Sequence, residues 1–530
     1  PTSRPEIMRR IVALSLVASV ALTASSCAIT RGGGTASAKV GPPHGAAIVV
    51  GGGNVGRDIM SRFIQLAGGP DALIIDVPTA GGAPTYTQTT AVAEQIRHNG
   101  ARNVFVLHTK DRKLADSDSF VAIIKKAGGI WFEGGRQNLL VDTYGGTKAE
   151  AEFHNVLARG GVEAGSSAGA SIQGSFLIRG ASNGNETMDA PGRNVGFGFL
   201  RGVGIDQHVV ARERLPDLAD SVMKKYPDLL FISEDEGTAW LVQGDNAEII
   251  GRNKAFVYNG KDTTDSGKPF TTLRPGDRYN LATRHVTHRA IDDSPLKQAW
   301  VDSLFRAAVG SSAATVLVAQ GGKVFINSSY NVPPQRRYMP TTTMPNFALG
   351  DVDMALHGVA AQWLIGEKKM AADEPLEDGG SVTVGQFLAG TDVADGEKKL
   401  VALMAKKAGV SAARLVMQRV LGAPGTHKTE FDTATAGYRS NVDEMYRMEL
   451  ALFSGVGLDT TSAPKSPLGW HADTFHGVSR QAVYGTSTGK RTAYMRFPDQ
   501  KAAIIILTDG ETIDARGLAE AIAGKLLSAR

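Results

Sequence analysis

Four short apolar runs in the first half of the chain, separated by amphipathic segments, constrain the fold more than any other feature of the sequence. The runs are Ala47–Val50, Ala72–Val77, Val104–His108 and Gly129–Phe132. Helical periodicity fills the gaps, for example at Val92–His98 and Ser119–Lys126. Buried strands alternating with helices are typical of a doubly wound α/β sheet, whose site lies at the carboxyl ends of the strands. We therefore predict such a sheet for residues 46 to about 262.

A Gly-x-Ser-x-Gly string follows a further short apolar stretch, where residues 162–171 read Val-Glu-Ala-Gly-Ser-Ser-Ala-Gly-Ala-Ser. Ser167 stands between small residues, as a nucleophile does on a tight turn from strand to helix. Small neighbours make such a turn sterically possible, and the N–H of the next residue can serve an oxyanion hole. Ser167 is therefore the candidate nucleophile, and His208 follows downstream in the sequence Ile-Asp-Gln-His.

Length and composition narrow the function classes. A chain of 530 residues should hold more than one domain, and its net charge of +4 comes from basic residues dispersed among acids, which argues against a dedicated nucleic-acid binder. The single cysteine, Cys27, excludes an internal disulfide and a multi-cysteine metal site. The glycines Gly51–Gly53 lack the spacing of a dinucleotide-binding loop. We expect no metal and no organic cofactor.

The N-terminus has the pattern of an export signal. Met8, Arg9 and Arg10 begin a positive segment, residues 11–22 are apolar, and small residues precede Cys27. The position of Cys27 resembles a bacterial lipoprotein cleavage site, with a plain secretory signal as the alternative. The prediction is a signal over residues 1–27 and a linker over 28–45, with the protein exported and anchored to a membrane through acylated Cys27, in the periplasm or outside the cell.

Several ordered motifs in residues 46 to about 262 resemble the cyanophycinase and aspartyl dipeptidase family of serine peptidases. The matching strings are Gly51-Gly52-Gly53, Pro78-Thr79-Ala80, Gly134-Gly135-x-Gln137, Gly165-Ser166-Ser167-Ala168-Gly169-Ala170, Asp206-Gln207-His208 with Arg212 and Arg214, and Asp235-Glu236-x-Thr238-Ala239. The resemblance implies a flavodoxin-like, class I glutamine amidotransferase-like three-layer α/β/α domain over residues 46–290. It also implies a Ser-His-acid mechanism that releases β-linked Asp-Arg dipeptides from cyanophycin.

By this resemblance Ser167 is the nucleophile and His208 the general base. Glu186 and Glu236 both fall where family members carry an acid, and the sequence does not decide which of them orients the imidazole. Gly135 and Ala168 would supply the two N–H donors of an oxyanion hole, with a simple turn as the alternative for the glycine.

The resemblance also implies a pocket that holds the guanidinium and carboxylates of the dipeptide. Its residues would be Gln137, Asp206, Gln207, Arg212 and Arg214. Arginine forks suit carboxylates because they bind both oxygens. Two positions depart from the family pattern. Arg136 replaces an acid after the paired glycines, and Asp217 stands where a further arginine is expected.

A second pattern occupies residues 296–530. It consists of a hairpin at 314–325, a helix at Met354–Ile365, a strand at Ala502–Thr508 and a final helix at Ile513–Leu527. This resembles the serine β-lactamase and penicillin-binding family, which implies an α+β domain. That family needs a serine and a lysine one helical turn apart, and here the positions are Asp351 and Met354. We interpret this half as a degenerate, non-hydrolytic domain, suited to binding cell wall or polymer.

The main hypothesis is an exported serine exopeptidase of cyanophycinase type, which cleaves a peptide or cyanophycin-like polymer. The alternatives are a peptidase for other acidic or isopeptide-linked dipeptides, and a non-catalytic protein that binds peptides or envelope components. The sequence does not decide whether the protein forms a homodimer. Because every residue assigned to catalysis lies before residue 290, we expect the first domain to carry the activity by itself.

Overall fold

The computed structural model describes residues 38–290, 294–332, 346–421, 428–454, 469–485 and 491–528. The predicted signal and Cys27 lie outside these residues and stay predictions. From Ala38 onward the chain forms one compact unit. The end of the predicted linker is bound within it, because the backbone N–H groups of Lys39, Val40 and Gly41 donate to the carboxylate of Asp245. In the described ranges, no helix has the length and apolarity that a bilayer crossing requires.

The first half of the described chain alternates strands and helices before it becomes all-β. Its strands are β1 Ala46–Val50, β2 Ile74–Val77, β3 Val104–Val106, β4 Gly129–Phe132, β5 Val162–Ser166, β6 Gly174–Phe176, β7 Leu200–Gln207, β8 Leu230–Glu234, β9 Thr238–Gln243, β10 Asn246–Gly251, β11 Ala255–Tyr258, β12 Phe270–Leu273, β13 Arg278–Asn280 and β14 His285–His288. Its helices are α1 Arg57–Leu66, α2 Ala91–His98, α3 Arg112–Ala115, α4 Asp118–Ile124, α5 Gln137–Tyr144, α6 Lys148–Ala158 and α7 Ala168–Ser171.

Among the described residues, nine of these strands form one sheet in the order β14-β13-β10-β9-β1-β5-β4-β2-β3. Strands β1 to β5 pair in parallel, and β9 runs antiparallel to β1. Side chains alternate across β1, so that Ile48 and Val50 pack against α1 while Ala47 and Val49 face the other way. The predicted doubly wound α/β fold is confirmed, and it directs the ends of β1, β4 and β5 to one edge of the sheet.

A second sheet, which the sequence pattern did not predict, covers the face of β1 opposite α1. Its order is β12-β11-β8-β7-β6. Leu200, Val203 and Ile205 of β7 pack with Ala47 and Val49 in one apolar cluster. Strand β7 therefore lies over the main sheet, and its end at Gln207 reaches the same edge as the end of β5.

The second half is built on an antiparallel sheet. Its strands are β15 Ala314–Gln320, β16 Lys323–Tyr330, β17 Phe347–Ala348, β18 Glu430–Asp432, β19 Gly437–Ser440, β20 His471–Phe475, β21 Val478–Gly485, β22 Arg491–Phe497 and β23 Ala502–Thr508. Its helices are α8 Gln298–Ala308, α9 Val352–Gly366, α10 Val384–Leu388, α11 Gly396–Ala408, α12 Ala412–Leu415, α13 Val442–Ser454 and α14 Ala515–Ser528.

In the described part of this half, six strands pair in the order β16-β15-β23-β22-β21-β20, and β17, β19 and β18 form a small separate sheet. Helices α8 and α14 cover one face of the larger sheet, and α9 to α13 cover the other. This arrangement confirms the predicted α+β class. Helix α9 begins at Val352, with Asp351 at its N-cap position, and Met354 lies where an active relative is expected to carry a lysine.

Candidate active site

The turn after β5 holds Ser167 in a strained conformation. Its φ is 59° and its ψ is −111°, values that cost free energy in a residue with a Cβ. The small neighbours explain how the turn fits, because a Cβ on Gly169 would lie 2.0 Å from the carbonyl oxygen of Phe132. The Ser167 N–H donates to the carbonyl of Val50 at 2.9 Å, which fixes the turn to the end of β1. The hydroxyl therefore projects, partly exposed, from the edge of the sheet.

His208 follows β7 and brings its imidazole to that hydroxyl. Its Nε2 lies 2.8 Å from Ser167 Oγ, and its Nδ1 lies 2.6 Å from Glu236 Oε1. The residue also has a positive φ of 56°, and its N–H donates to Gly51. The structure thus forms a continuous series of hydrogen-bonded groups from Glu236 through His208 to Ser167. This is the geometry of a nucleophile activated by an oriented base.

The Gly51–Gly53 loop makes that geometry possible. A Cβ on Gly52 would lie 2.0 Å from Cε1 of His208, and a Cβ on Gly53 would lie 2.4 Å from Oε2 of Glu236. The glycines therefore let the backbone pass close to the imidazole and the carboxylate. Their role in this structure is steric.

Glu186 does not reach the imidazole. It lies exposed on the loop between β6 and β7, while Glu236 is 1% exposed and occupies the Nδ1 side of His208. The backbone of Glu236 is fixed as well, because the Asn253 side chain donates to its carbonyl at 2.7 Å. Of the two acids that the sequence left open, the structure brings Glu236 to His208.

Burial and charge set the protonation of these groups. Burial lowers the pKa of His208, and the hydrogen bond to Glu236 offsets only part of this effect. Burial alone would raise the pKa of Glu236, but His208 and the Arg447 guanidinium lower it to about 2. At neutral pH the imidazole is therefore neutral and able to accept a proton, and the carboxylate is charged and able to hold it.

Of the two predicted oxyanion donors, Ala168 directly follows Ser167 and Gly135 follows a glycine that lies against it. Ala168 is the first residue of α7, where backbone N–H groups have no partner within the helix. Gly134 lies against Ser167, and Gly135 has a φ of 140°, with room only for a hydrogen at its Cα, since a Cβ there would lie 2.1 Å from the carbonyl oxygen of Ala80. In the described residues, the Gly135 N–H donates to no backbone acceptor outside helices and strands. The role of Ala168 and Gly135 as donors stays a prediction.

Asp206 is committed to a buried ion pair rather than open to the cleft. Its two carboxylate oxygens accept from Nε and Nη2 of Arg179 at 2.9 and 3.0 Å. Arg179 Nη2 also donates to Asp217 at 2.6 Å. Asp217, one of the two departures from the family pattern, thus serves as a second partner for Arg179. Sequence analysis missed Arg179, whose only local signal is a lone arginine after an apolar strand.

The other predicted pocket residues differ in their exposure. Arg212 is exposed, whereas Arg214 is buried, with a weak 3.4 Å hydrogen bond from its Nη1 to the carbonyl of Gln207. Burial lowers the pKa of Arg214 to about 10, although Asp206 partly offsets this effect. Such a poorly solvated guanidinium favours an anionic ligand. The side-chain oxygen of Gln207 is buried without a partner among the described residues.

Gln137 and Arg136 are bound to the protein itself. The Gln137 side-chain amide donates to the carbonyl of Ile178 at 2.9 Å, and it is buried. Arg136, the other departure from the family pattern, donates to the carbonyl of Ala181 at 2.7 Å. Both residues therefore fix the backbone between β6 and β7, the segment that carries Arg179 and Glu186. In the described ranges, no group of three or more His, Cys, Asp or Glu side chains could hold a metal ion.

Comparison with known proteins identifies the relatives of the first half. Residues 47–250 match the sequence profile described as Peptidase family S51. A cyanophycinase of Synechococcus elongatus is 31% identical over 257 residues, which cover 44% of this chain and 78% of that protein. A cyanophycinase of Geminocystis herdmanii (strain PCC 6308) is 30% identical over 249 residues, which cover 43% of this chain and 89% of that protein.

Two solved structures are similar to parts of the chain. A peptidase from an acI-B1 Actinobacterium aligns with a TM-score of 0.38 and 23% identity, covering 45% of this chain and 97% of its own. An octameric penicillin-binding protein homologue from Pyrococcus abyssi aligns with a TM-score of 0.37 and 12% identity, covering 44% of this chain and 78% of its own.

Proposed function

The chain belongs to peptidase family S51 and is a cyanophycinase-like serine peptidase, and on that premise we propose that it is an exported exopeptidase for β-aspartyl-arginine (cyanophycin-like) polymers. It would hydrolyse the peptide bond before a terminal unit with Ser167, His208 and Glu236, and release that unit as an intact β-Asp-Arg dipeptide. One observation carries this proposal. A buried carboxylate, a neutral imidazole and a partly exposed hydroxyl on a strained turn are linked by hydrogen bonds of 2.6 and 2.8 Å.

The geometry supports a two-step acyl transfer. Ser167 Oγ attacks the scissile carbonyl carbon while His208 Nε2 takes its proton, and Glu236 stabilises the imidazolium that forms. The N–H groups of Ala168 and Gly135 stabilise the oxyanion of the tetrahedral intermediate. The intermediate collapses as His208 gives its proton to the leaving amine, which leaves an acyl-enzyme. Water then attacks this ester with His208 as base, which releases the acid and restores the hydroxyl.

The charge of the site favours a substrate that carries free carboxylates. Arg214 is buried on the short segment that follows His208, and Arg212 stands on the same segment. A terminal β-Asp-Arg unit of the polymer keeps a free α-carboxylate, which an arginine fork can bind through both oxygens. This supports a chain of β-aspartyl-arginine units as the substrate class. Asp206 acts through Arg179, since its oxygens are occupied by that guanidinium.

A second candidate is a peptidase for other acidic or isopeptide-linked dipeptides. The observation in its favour is Arg136, a base where the resemblance predicts an acid, which donates to the carbonyl of Ala181 between β6 and β7. Under this alternative the arginine side chain of the substrate would be dispensable, and the β-aspartyl carboxylate would be the recognised group.

Export and lipid anchoring through Cys27 belong to the same proposal, as does assembly into a homodimer. The support for export is the basic, apolar and small-residue order of residues 8–27. Replacing Cys27 with Ser should move the protein from the membrane fraction to the soluble exported fraction, because the acyl chains would be lost.

The test is hydrolysis by the full chain. The purified protein is incubated with cyanophycin, β-Asp-Arg, β-Asp-Lys and, as a control, α-Asp-Arg, and the products are identified by mass. We expect intact β-Asp-Arg dipeptides to be released from cyanophycin, with no cleavage of α-Asp-Arg. Hydrolysis of β-Asp-Arg and β-Asp-Lys at equal rates to free amino acids would favour the second candidate. Binding of these peptides without cleavage would overturn the enzymatic proposal in favour of a peptide-binding protein.

A further inference from the structure

The catalytic acid proposed above is held by both halves of the chain. Glu236 Oε1 bonds His208, and the second oxygen, Oε2, lies 2.5 Å from Nη2 of Arg447. Arg447 lies on α13 in the second half. Its other nitrogen, Nη1, lies 3.3 Å from Glu444 Oε1 one helical turn earlier, which orients the guanidinium.

The burial of this ion pair makes the loss of either partner costly in free energy. The side chains of Arg447 and Glu236 are 10% and 1% exposed. A buried carboxylate that loses its partner carries a desolvation cost that water does not relieve. The carboxylate would then rotate, take up a proton or admit water, and each change would loosen its hydrogen bond to the imidazole. The guanidinium of Arg447 on α13 therefore helps to orient His208.

A second contact joins the same two regions. Lys428 Nζ lies 2.8 Å from Glu213 Oε1. Glu213 belongs to the short segment that runs from His208 to Arg214, and Asp235 fixes the start of that segment by accepting the N–H groups of Val210 and Ala211. The second half thus contacts the site on both sides of His208, once at the acid and once at the segment that carries the pocket arginines.

We propose that the β-lactamase-like half serves as a built-in activator of the peptidase, with Arg447 as a positioning residue that holds Glu236 toward His208. This inference rests on the proposed function. It assigns a role to a half that lacks the serine and lysine of its own family, and it predicts that the first half depends on α13 for full activity.

The expected effect is partial rather than complete. The charged groups near Glu236 are His208, Arg447, Arg252 and Arg212, with Asp235 adjacent in sequence. Arg252 stays in place when Arg447 is removed, because its Nη1 donates to the carbonyl of Asn54 at 2.8 Å. Glu236 would therefore keep two nearby arginine cations, Arg252 and Arg212. We expect a loss of about tenfold in Ser167 reactivity, short of the loss expected when the acid itself is replaced.

The test uses the full chain and a fluorophosphonate, a probe that phosphonylates an activated serine whatever the natural substrate. The variants are Arg447→Ala, Arg447→Lys, Glu236→Gln and the double variant Arg447→Ala/Glu236→Gln. The matched control is Arg480→Ala, which removes another buried, ion-paired arginine of the same half, one that bonds Asp473 and Glu520 instead. Labelling rates at Ser167, kcat and KM for dipeptide release from cyanophycin, and thermal unfolding are measured for each.

We expect Arg447→Ala to label about tenfold more slowly, with the loss in kcat rather than KM, and Arg447→Lys to recover part of it. The acidic limb of the pH profile should move to higher pH, because removing a cation raises the pKa of the nearby carboxyl and imidazole. Arg480→Ala should label like the wild type. In the Glu236→Gln background, Arg447→Ala should have little further effect, as expected for residues that act through one contact.

Wild-type labelling by Arg447→Ala would overturn the inference, as would an undiminished loss in the Glu236→Gln background. Failure of the proposed function looks different. A wild-type protein that labels at Ser167 but cleaves no β-aspartyl substrate would contradict the substrate only, and the role of Arg447 would still be read from the labelling rates. A wild-type protein that neither labels nor cleaves would overturn both.

Discussion

Each half of the chain contains a glutamate, a histidine and a hydroxyl in hydrogen-bonded order. In the first half Glu236, His208 and Ser167 are joined at 2.6 and 2.8 Å. In the second half Glu397 Oε1 lies 2.9 Å from His357 Nδ1, and His357 Nε2 lies 3.4 Å from the hydroxyl of Tyr438. The residue types and their order are nearly the same. Their surroundings are not.

Three differences separate the two series. Ser167 stands partly exposed on a strained turn, whereas Tyr438 lies buried inside strand β19. Burial raises the pKa of Tyr438, which makes its oxygen harder to deprotonate. The two acids also differ in exposure, because the side chain of Glu236 is 1% exposed and that of Glu397 is 37% exposed. The hydrogen-bonded residues Glu397, His357 and Tyr438 therefore form a structural contact between α11, α9 and β19.

The comparison shows what a catalytic series requires beyond its residue types. A nucleophile needs access, backbone N–H donors beside it and an acid whose charge is protected from water. The first half has the turn at Ser167 and the buried Glu236, and Ala168 and Gly135 are its predicted N–H donors. The predictions below test whether these features, and not the series alone, decide function.

Replacing the two hydroxyls should give the largest contrast. Ser167→Ala should lower kcat/KM by about 10³-fold or more, because the covalent step disappears. Tyr438→Phe, the matched change in the other series, should leave kcat/KM within about twofold. Steady-state assays of dipeptide release from cyanophycin check both. Near-wild-type turnover by Ser167→Ala would rule out the serine mechanism.

The acids should differ in the same way, with a smaller loss. Glu236→Gln should lower kcat/KM by about 10²-fold or more, because an amide cannot stabilise the imidazolium. Glu186→Gln and Glu397→Gln should change it by about threefold or less, since the first is exposed and the second belongs to the other half. Equal, mild losses for Glu236→Gln and Glu186→Gln would mean that neither acid orients His208.

The pH profile of kcat/KM tests the protonation of His208. The base must be neutral, so activity falls as the pH drops through its pKa. Burial holds that pKa below the ordinary 6.5, and activity should therefore persist to lower pH than a solvated imidazole would allow. Glu236 opposes this shift, so residual activity of Glu236→Gln should extend to still lower pH. An acidic limb well above pH 6.5 would contradict the assignment.

The second half should show none of the chemistry of the β-lactamase and penicillin-binding pattern to which its sequence was compared. Asp351 stands at the N-cap position of α9 and Met354 follows within the first turn, so this turn offers neither a hydroxyl nor an activating amine. We expect no covalent adduct when the full chain is incubated with labelled penicillin and mapped by mass. An adduct in residues 346–485 would show that a different nucleophile of this half is active.

The sequence predicted the parts of the structure that have local signals. The apolar runs predicted strands β1 to β4, the small residues predicted the turn at Ser167, and the order Asp-Gln-His indicated His208. The choice of Glu236 over Glu186 was not predictable, because it depends on how two loops 28 residues apart in sequence meet at the imidazole.

Contacts between residues that are far apart in the sequence have no local sequence signal. Arg179 binds Asp206 from the turn after β6, and Arg447 reaches Glu236 from the other half of the chain. No periodicity or spacing records which arginine meets which acid after folding. The Gly51–Gly53 loop was visible in the sequence, but its close approach to His208 and Glu236 required coordinates.

Peptide mapping of the full-length protein after fluorophosphonate treatment tests the central claim most directly. The account predicts one phosphonyl adduct, on the peptide that contains Ser167. The adduct should be absent from Ser167→Ala and unchanged in Tyr438→Phe. A protein that releases dipeptides while Ser167 stays unmodified, or an adduct on Tyr438 in its place, would contradict the claim that the series ending at Ser167 is the catalytic one.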